Sequence, residues 1–131
     1  MEGSPHHTRQ ASVLVIDDDD VIRMVVRDAL EFVGYTVHEA NGPEIGLELA
    51  ERVQPEIVML DIMLPRIDGL KVLAHMRSIG LPCKVVIFSA TGTRHAAEAF
   101  ELGANEFLTK PFELDELIGI IDRLSSAVST G

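Results

Sequence analysis

Cysteine is rare in this chain, and this scarcity narrows the classes of protein that it can represent. Cys83 is the only cysteine, so no disulfide can form within the chain, as is usual for proteins of a reducing cytoplasm. No apolar run approaches the roughly 20 residues that a helix needs to cross a bilayer, and the first residues lack the pattern of a signal peptide. We therefore expect a cytoplasmic protein with no membrane-spanning segment.

Positive charge is also scarce in the sequence. The chain has 11 lysine and arginine residues against 21 aspartate and glutamate residues, which gives a formal net charge of −10. Nucleic acids and anionic membranes bind basic surfaces, so we expect this chain to bind neither directly. The excess of carboxylates suits a protein that holds a cation or meets a basic partner. A length of 131 residues is enough for one domain with its own hydrophobic core.

Short apolar runs alternate with segments of helical periodicity along the chain. Three runs are apolar throughout, as is typical of strands buried on both faces, and two weaker ones complete the set; the five lie near residues 12–16, 36–40, 57–60, 85–88 and 107–109. Each is followed by apolar residues at the spacing of one helix face. Five strands alternating with five helices predict a doubly wound α/β domain, with a parallel sheet and helices on both of its faces.

The predicted elements set the boundaries of the domain. We expect a flexible N-terminal tail at residues 1–11, one folded domain at 12–124, and a C-terminal tail or linker at 125–131. No Gly-x-Gly-x-x-Gly segment follows the first strand, which argues against dinucleotide binding.

An acidic run follows the first predicted strand, where Val13–Ile16 leads into Asp17–Asp20. Two carboxylates about 4 Å apart repel each other by roughly 4 kcal/mol at an effective dielectric constant near 20. The run is therefore either a solvated turn that caps the next helix or one side of a cation site. Asp61, Ser89 and Lys110 lie at or near the ends of later strands.

Parallel strands point the same way, so their terminal residues share one edge of the sheet. If the strand order is 2-1-3-4-5, Asp17, Asp18 and Asp61 converge where the order reverses, with Ser89 and Lys110 beside them. A hard cation such as Mg²⁺ binds one or two carboxylates and leaves room for phosphate oxygens. A neighbouring carboxylate can attack phosphorus, and a lysine can neutralise the developing charge.

The region 12–124 resembles the response-regulator receiver domain of two-component signalling. The matching motifs occur in the order and at the spacing of that family: Val-Ile-Asp17-Asp18, Met-Leu-Asp61, Leu64-Pro65, Asp68-Gly69-Leu70, Ile-Phe-Ser89-Ala90, Gly103-Ala104 and Lys110-Pro111-Phe112. The resemblance implies a flavodoxin-like fold, with a five-stranded parallel sheet of order 2-1-3-4-5 and five helices on both faces. It also implies a phospho-accepting signalling switch rather than an enzyme that acts on a separate substrate.

The resemblance assigns the phosphoryl chemistry to particular side chains. Asp61 would accept a phosphoryl group from the phosphohistidine of a sensor histidine kinase or phosphotransfer protein. Asp17 and Asp18 would hold Mg²⁺ together with Asp61 and the main-chain carbonyl of Met63. The domain would catalyse only its own aspartyl phosphorylation and dephosphorylation.

The resemblance also implies how phosphorylation is sensed. Ser89 would donate a hydrogen bond to the phosphoryl group, and Lys110, before a cis proline bond, would pair first with the carboxylate and then with a phosphoryl oxygen. Phe107 would be the switch side chain, which moves when Ser89 is drawn inward. The last two helices and the last strand would then contact an output domain, a partner protein or a second copy of the chain.

Two alternatives remain open at the level of sequence. Asp17-x-Asp19-x-Val21 also fits the start of haloacid-dehalogenase-type phosphatases, in which Asp17 would be the nucleophile and Asp19 the general acid. Several features argue against that class. The chain is short, it has no cap insertion and no second acidic pair after Lys110, and Asp61 would have no role in such a phosphatase. The other alternative is a receiver-like module that binds a partner without phosphorylation.

Overall fold

The computed structural model of the chain describes residues 11–129, with side chains for residues 11–125. Five strands alternate with five helices, as predicted. In chain order they are β1 (Ser12–Ile16), α1 (Asp20–Phe32), β2 (Thr36–Ala40), α2 (Pro43–Val53), β3 (Ile57–Asp61), α3 (Gly69–Ser78), β4 (Lys84–Ser89), α4 (Ala96–Glu101), β5 (Glu106–Thr109) and α5 (Leu114–Ser129).

The strands form one parallel sheet in the order β2-β1-β3-β4-β5. The prediction of a doubly wound sheet of this order is confirmed. The apolar strand β3 is buried throughout, while most residues of the edge strand β2 are partly exposed. The contrast follows from position, since an inner strand has helices over both faces and an edge strand has one side open.

Two hydrophobic layers cover the two faces of the sheet, because successive side chains of a strand point to opposite faces. One layer joins alternate strand residues such as Val58 and Leu60 to buried residues of α2, α3 and α4. The other joins Val15, Met59 and Phe88 to buried residues of α1 and α5. Each fully buried apolar side chain contributes about 1.5–3 kcal/mol, so these layers fix the positions of the strand ends that carry the polar residues.

Two acidic side chains begin helices. Asp19 is the N-cap of α1, and its carboxylate accepts hydrogen bonds from the amides of Val21 (2.9 Å) and Ile22 (3.2 Å). Asp68 caps α3 in the same way through the amide of Leu70 at 2.8 Å. One part of the acidic run after β1 therefore serves as a helix cap, which leaves Asp17 and Asp18 for another role.

The chain has defined structure past both predicted boundaries, as a buried residue before the first and a stretch of helix after the second. Ala11 is buried, and its carbonyl accepts a hydrogen bond from the amide of Thr36 at 3.2 Å. Helix α5 runs on to Ser129, into the segment expected to be a tail or linker, since its helical pattern does not stop at residue 124. The remainder of the two predicted tails lies outside the described residues. No helix within 11–129 is long and apolar enough to cross a membrane.

Candidate functional site

The polar residues predicted from the strand ends lie along one edge of the sheet. Asp17 follows β1, Asp61 and Ser89 are the last residues of β3 and β4, and Lys110 follows β5. Strands β1 and β3 are neighbours although α1, β2 and α2 separate them in the chain. This reversal of strand order places the two aspartates side by side, as is general for ligand sites of open α/β sheets.

Lys110 joins the two buried aspartates. Its ammonium Nζ lies 2.9 Å from Oδ2 of Asp17 and 3.2 Å from Oδ2 of Asp61. The other oxygen of each carboxylate accepts a main-chain hydrogen bond, from the amide of Asp19 at 2.9 Å and from the amide of Met63 at 3.0 Å. Asp17 and Asp61 are 0% and 3% exposed, so the two buried carboxylates share the single positive charge of Lys110.

Asp18 completes a group of three carboxylates on the open side of this pair. One oxygen from each of Asp17, Asp18 and Asp61 lies within 4.8 Å of the others, and Asp18 is exposed. Oxygens on opposite sides of an octahedral Mg²⁺ ion are about 4.2 Å apart, because each bond is about 2.1 Å. Oxygens on adjacent sides are about 3 Å apart, so the three side chains would draw together to bind such an ion, and their all-oxygen chemistry suits it.

The environment of Asp61 makes its carboxylate unusually basic. Burial raises the pKa of Asp61 to about 6, and the neighbouring charge of Asp17 acts in the same direction. The amide of Met63 and the ammonium of Lys110 oppose this rise without cancelling it. Burial also acts to lower the pKa of Lys110, but its hydrogen bonds and charge interactions with the two aspartates outweigh burial, so the pKa is raised.

Ser89 lies at the end of β4 and is fully buried. Its hydroxyl accepts a hydrogen bond from the amide of Thr91 at 3.0 Å and shares a second one, 2.6 Å long, with the hydroxyl of Thr91. Phe107 pairs in register with Ile87 on the neighbouring strand, and its ring packs against the layer that includes α3 and α4. Ser89 thus ends the strand next to that of Asp61, and Phe107 lies on the following strand, in the layer that includes α3 and α4.

Two further residues support the site through contacts that were not predicted from the sequence. Arg23 of α1 donates a hydrogen bond from Nη1 to the main-chain carbonyl of Asp17 at 2.7 Å. Gly69 lies against the main chain of β3, where an added Cβ would meet the carbonyl oxygen of Asp61 at 2.2 Å. The close approach of Gly69 could be read from the motif Asp68-Gly69, because a glycine at the start of a helix often marks a close backbone approach. No local pattern in the sequence indicates the hydrogen bond of Arg23.

A doubly wound α/β domain that gathers carboxylates and a lysine at the switch point of its sheet belongs to a class suited to phosphoryl chemistry. The chain is a member of the response-regulator receiver domain family, whose family model matches residues 13–122. Members of this family are phosphorylation-dependent switches of signalling proteins. The sequence resemblance is thereby confirmed.

Individual relatives agree with this assignment. The response regulator MprA of Mycobacterium leprae is 36% identical over 113 residues, which cover 86% of this chain and 50% of MprA. The regulatory protein AtoC of Escherichia coli is 36% identical over 112 residues, which cover 85% of this chain and 24% of AtoC. The chain thus spans half or less of the length of these curated relatives.

A solved structure agrees as well. The receiver domain of a Francisella response regulator matches 91% of this chain and 99% of its own length, with 29% sequence identity and a TM-score of 0.86. The phosphatase alternative does not hold for a chain of this family. Oδ1 of Asp19, the residue that such a phosphatase would use as its general acid, accepts both hydrogen bonds of the helix cap instead.

Proposed function

We propose that this domain accepts a phosphoryl group on Asp61 and uses it to change the conformation of its last two helices and last strand. The observation that carries the proposal is the position of the Asp61 carboxylate. It is buried and basic, it lies 3.2 Å from the Lys110 ammonium, and it lies near two further carboxylates, the buried Asp17 and the exposed Asp18. Family membership supports the same assignment.

The donor is the phosphohistidine of a sensor histidine kinase or of a phosphotransfer protein. A carboxylate oxygen of Asp61 forms a bond to phosphorus, and the bond between phosphorus and the imidazole nitrogen breaks. The electron pair of that bond stays on the imidazole, which leaves the donor histidine unphosphorylated. The product on this chain is an acyl phosphate. Lys110 stays beside the reacting group and transfers its pairing from the carboxylate to a phosphoryl oxygen.

The acidic residues serve the same reaction through a divalent cation. Asp17, Asp18 and Asp61 would hold Mg²⁺ together with the main-chain carbonyl of Met63, and the mutual distances of the carboxylates support this set. A bound Mg²⁺ supplies charge neutralisation for the phosphoryl oxygens. Without a cation, the two negative charges of Asp17 and Asp18 repel an incoming phosphoryl group.

Ser89 converts phosphorylation into a structural change. Its hydroxyl leaves Thr91 and donates to a phosphoryl oxygen, and Phe107 follows into the space that opens. Hydrogen bonds to charged groups contribute about 1.5–3 kcal/mol each, so those of Ser89 and Lys110 together supply roughly 3–6 kcal/mol. A shift from 1:99 to 99:1 between two states needs about 5.5 kcal/mol. The two contacts are therefore strong enough to change the dominant state.

The surface that moves comprises α4, β5 and α5, and it controls an output domain or a partner protein. A second copy of the chain, bound on activation to form a homodimer, is a further candidate for the partner of this surface. The named relatives, a response regulator and a regulatory protein, are longer than this chain, which supports an arrangement with additional domains. We also propose a cytoplasmic location and no direct binding of nucleic acid by this domain.

Intact-mass measurement after incubation with acetyl phosphate and Mg²⁺ tests the proposal. We expect the mass of one added phosphoryl group, located at Asp61 by peptide mapping. Asp61→Asn should remove it, and omission of Mg²⁺ should reduce it strongly. Asp28→Asn, on the exposed side of α1, is the matched control and should be phosphorylated like the wild type.

Two outcomes would contradict the proposal. Phosphorylation at Asp17, or turnover of many phosphoesters, would make Asp17, after β1, the nucleophile instead of Asp61 at the end of β3. An unmodified protein in the presence of Mg²⁺ and a phosphorylated kinase would leave only a receiver-like binding module.

A further inference from the structure

Lys110 has a third neighbour besides the two aspartates. Its ammonium lies over the ring of Phe88, with 4.7 Å between Nζ and the ring centroid. Phe88 is the penultimate residue of β4 and is fully buried. A cation over the face of an aromatic ring is attracted by the negative potential of that face, and the attraction grows when the pair is removed from water.

The sheet register fixes the position of the ring. Phe88 is the direct register partner of Asp61 on the neighbouring strand, so both side chains point to the same face of the sheet. This is the face covered by α1 and α5, where Phe88 belongs to the hydrophobic layer. Phe112 packs edge-to-face against Phe88, with ring centroids 6.2 Å apart and an angle of 72°. The ring is therefore held with one face toward the ammonium.

The ring limits where the ammonium can go. Lysine has a long, flexible side chain and a compact charge, and the two carboxylates alone leave its remaining sides free. Phe88 closes the side toward β4, so the ammonium stays between Asp17 and Asp61. When Asp61 carries a phosphoryl group, the same contact keeps the ammonium at the acceptor instead of with Asp17 alone.

We propose that Phe88 is a positioning residue for Lys110, which it holds at the acceptor carboxylate through the face of its aromatic ring. The proposal rests on the proposed function for the role of Lys110 in phosphorylation. The contact itself exists without phosphoryl group or metal and is tested separately.

The contact is tested by nuclear magnetic resonance on the unphosphorylated protein without Mg²⁺. Protons on Cε of Lys110 lie near the ring face, so their resonances should be shifted upfield relative to those of exposed lysines such as Lys71. Phe88→Leu keeps an apolar side chain but removes the ring, and it should abolish the upfield shift. Ile57→Ala is the matched control, because it removes apolar volume from the same layer at the opposite end of β3 from Asp61, and the shift should persist.

The role is tested by the initial rate of Asp61 phosphorylation by acetyl phosphate with saturating Mg²⁺. The rate should fall by roughly threefold to thirtyfold in Phe88→Leu, the range expected for a partly to fully desolvated contact. It should change by less than about twofold in Ile57→Ala. Thermal unfolding of both variants shows whether the two substitutions weaken packing equally, so that a general loss of stability cannot produce the difference.

The outcomes separate this proposal from the proposed function. An unshifted Lys110 resonance in the wild type overturns the role of Phe88, whether or not Asp61 is phosphorylated. Equal phosphorylation rates for Phe88→Leu and Ile57→Ala also overturn it. Phe88→Met, with a flexible side chain that adapts to the core, replaces Phe88→Leu if the latter does not fold. Failure of the wild type to be phosphorylated contradicts the proposed function and leaves the resonance test intact.

Discussion

Substitution of the proposed acceptor, Asp61→Asn, should stabilise the fold. The ordinary pKa of this carboxyl is 3.8, and burial raises it to about 6 in the folded protein. A difference of about two pKa units corresponds to about 3 kcal/mol between the two states of the chain. The ionised carboxylate therefore costs the folded state up to about 3 kcal/mol at neutral pH, and a neutral asparagine avoids this cost.

The sign of the pH dependence follows from the raised pKa. Below about pH 4, the carboxyl is protonated in both the folded and the unfolded chain and contributes nothing. Between about pH 4 and 6, the folded state retains a proton that the unfolded chain has released, so the stability of the wild type falls as the pH rises. The advantage of Asp61→Asn should accordingly be small near pH 4, grow toward pH 6, and stay constant at higher pH.

Urea unfolding without Mg²⁺ at several pH values between 4 and 8 measures this difference. At pH 7.5 the gain should approach 3 kcal/mol, or about 10 °C in Tm for a domain of this size. Asp28→Asn, at an exposed position on α1, should change stability by less than about 0.5 kcal/mol. A variant no more stable than the wild type at pH 7.5, or a gain independent of pH, would refute the reasoning about burial of the acceptor.

Three further predictions concern the surroundings of the acceptor. Mg²⁺ at about a hundred times its Kd should raise the unfolding free energy of the wild type by about 2.7 kcal/mol. Asp18→Asn should remove most of this gain, and an equal gain in the variant would exclude Asp18 as a ligand. Gly69→Ala should cost about 3 kcal/mol in urea unfolding, because its Cβ would lie 2.2 Å from the carbonyl oxygen of Asp61; a loss below about 0.5 kcal/mol would contradict that close approach. Asp19→Ala should cost about 1 kcal/mol through loss of the helix cap and leave phosphorylation at saturating Mg²⁺ within about twofold of the wild type. A total loss of phosphorylation in that variant would instead give Asp19 a chemical role.

Several features of the site follow from local sequence. The run Val13–Ile16 has no polar residue, so it is buried on both faces, and the aspartates that follow it necessarily emerge at the end of a strand. Asp19 and Asp68 cap helices because a short carboxylate before a helical segment satisfies free amides whatever the rest of the fold does. Residues of this kind are predictable because their partners lie within three positions in the chain.

Helix α1 shows where such local reasoning ends. Its apolar residues recur at helical spacing, yet Val26 and Leu30 are fully buried whereas Val21 and Val25 are exposed. The periodicity is a property of the sequence, but the width of the buried face depends on how α5 and the sheet lie against the helix. The end of a helix can likewise differ from the position that the sequence pattern predicts, since α5 continues to Ser129, beyond the predicted boundary.

The sequence by itself determined the alternation of strands and helices, the helix caps and the set of polar residues at the strand ends, since each depends on neighbours along the chain. Only the tertiary structure decided that Lys110 pairs with Asp17 and Asp61, which lie 93 and 49 residues away in the chain. It likewise decided that Phe88 lies beneath the ammonium and that burial makes Asp61 basic. These properties depend on the order and register of the strands, and they exist only once the hydrophobic layers have locked the sheet.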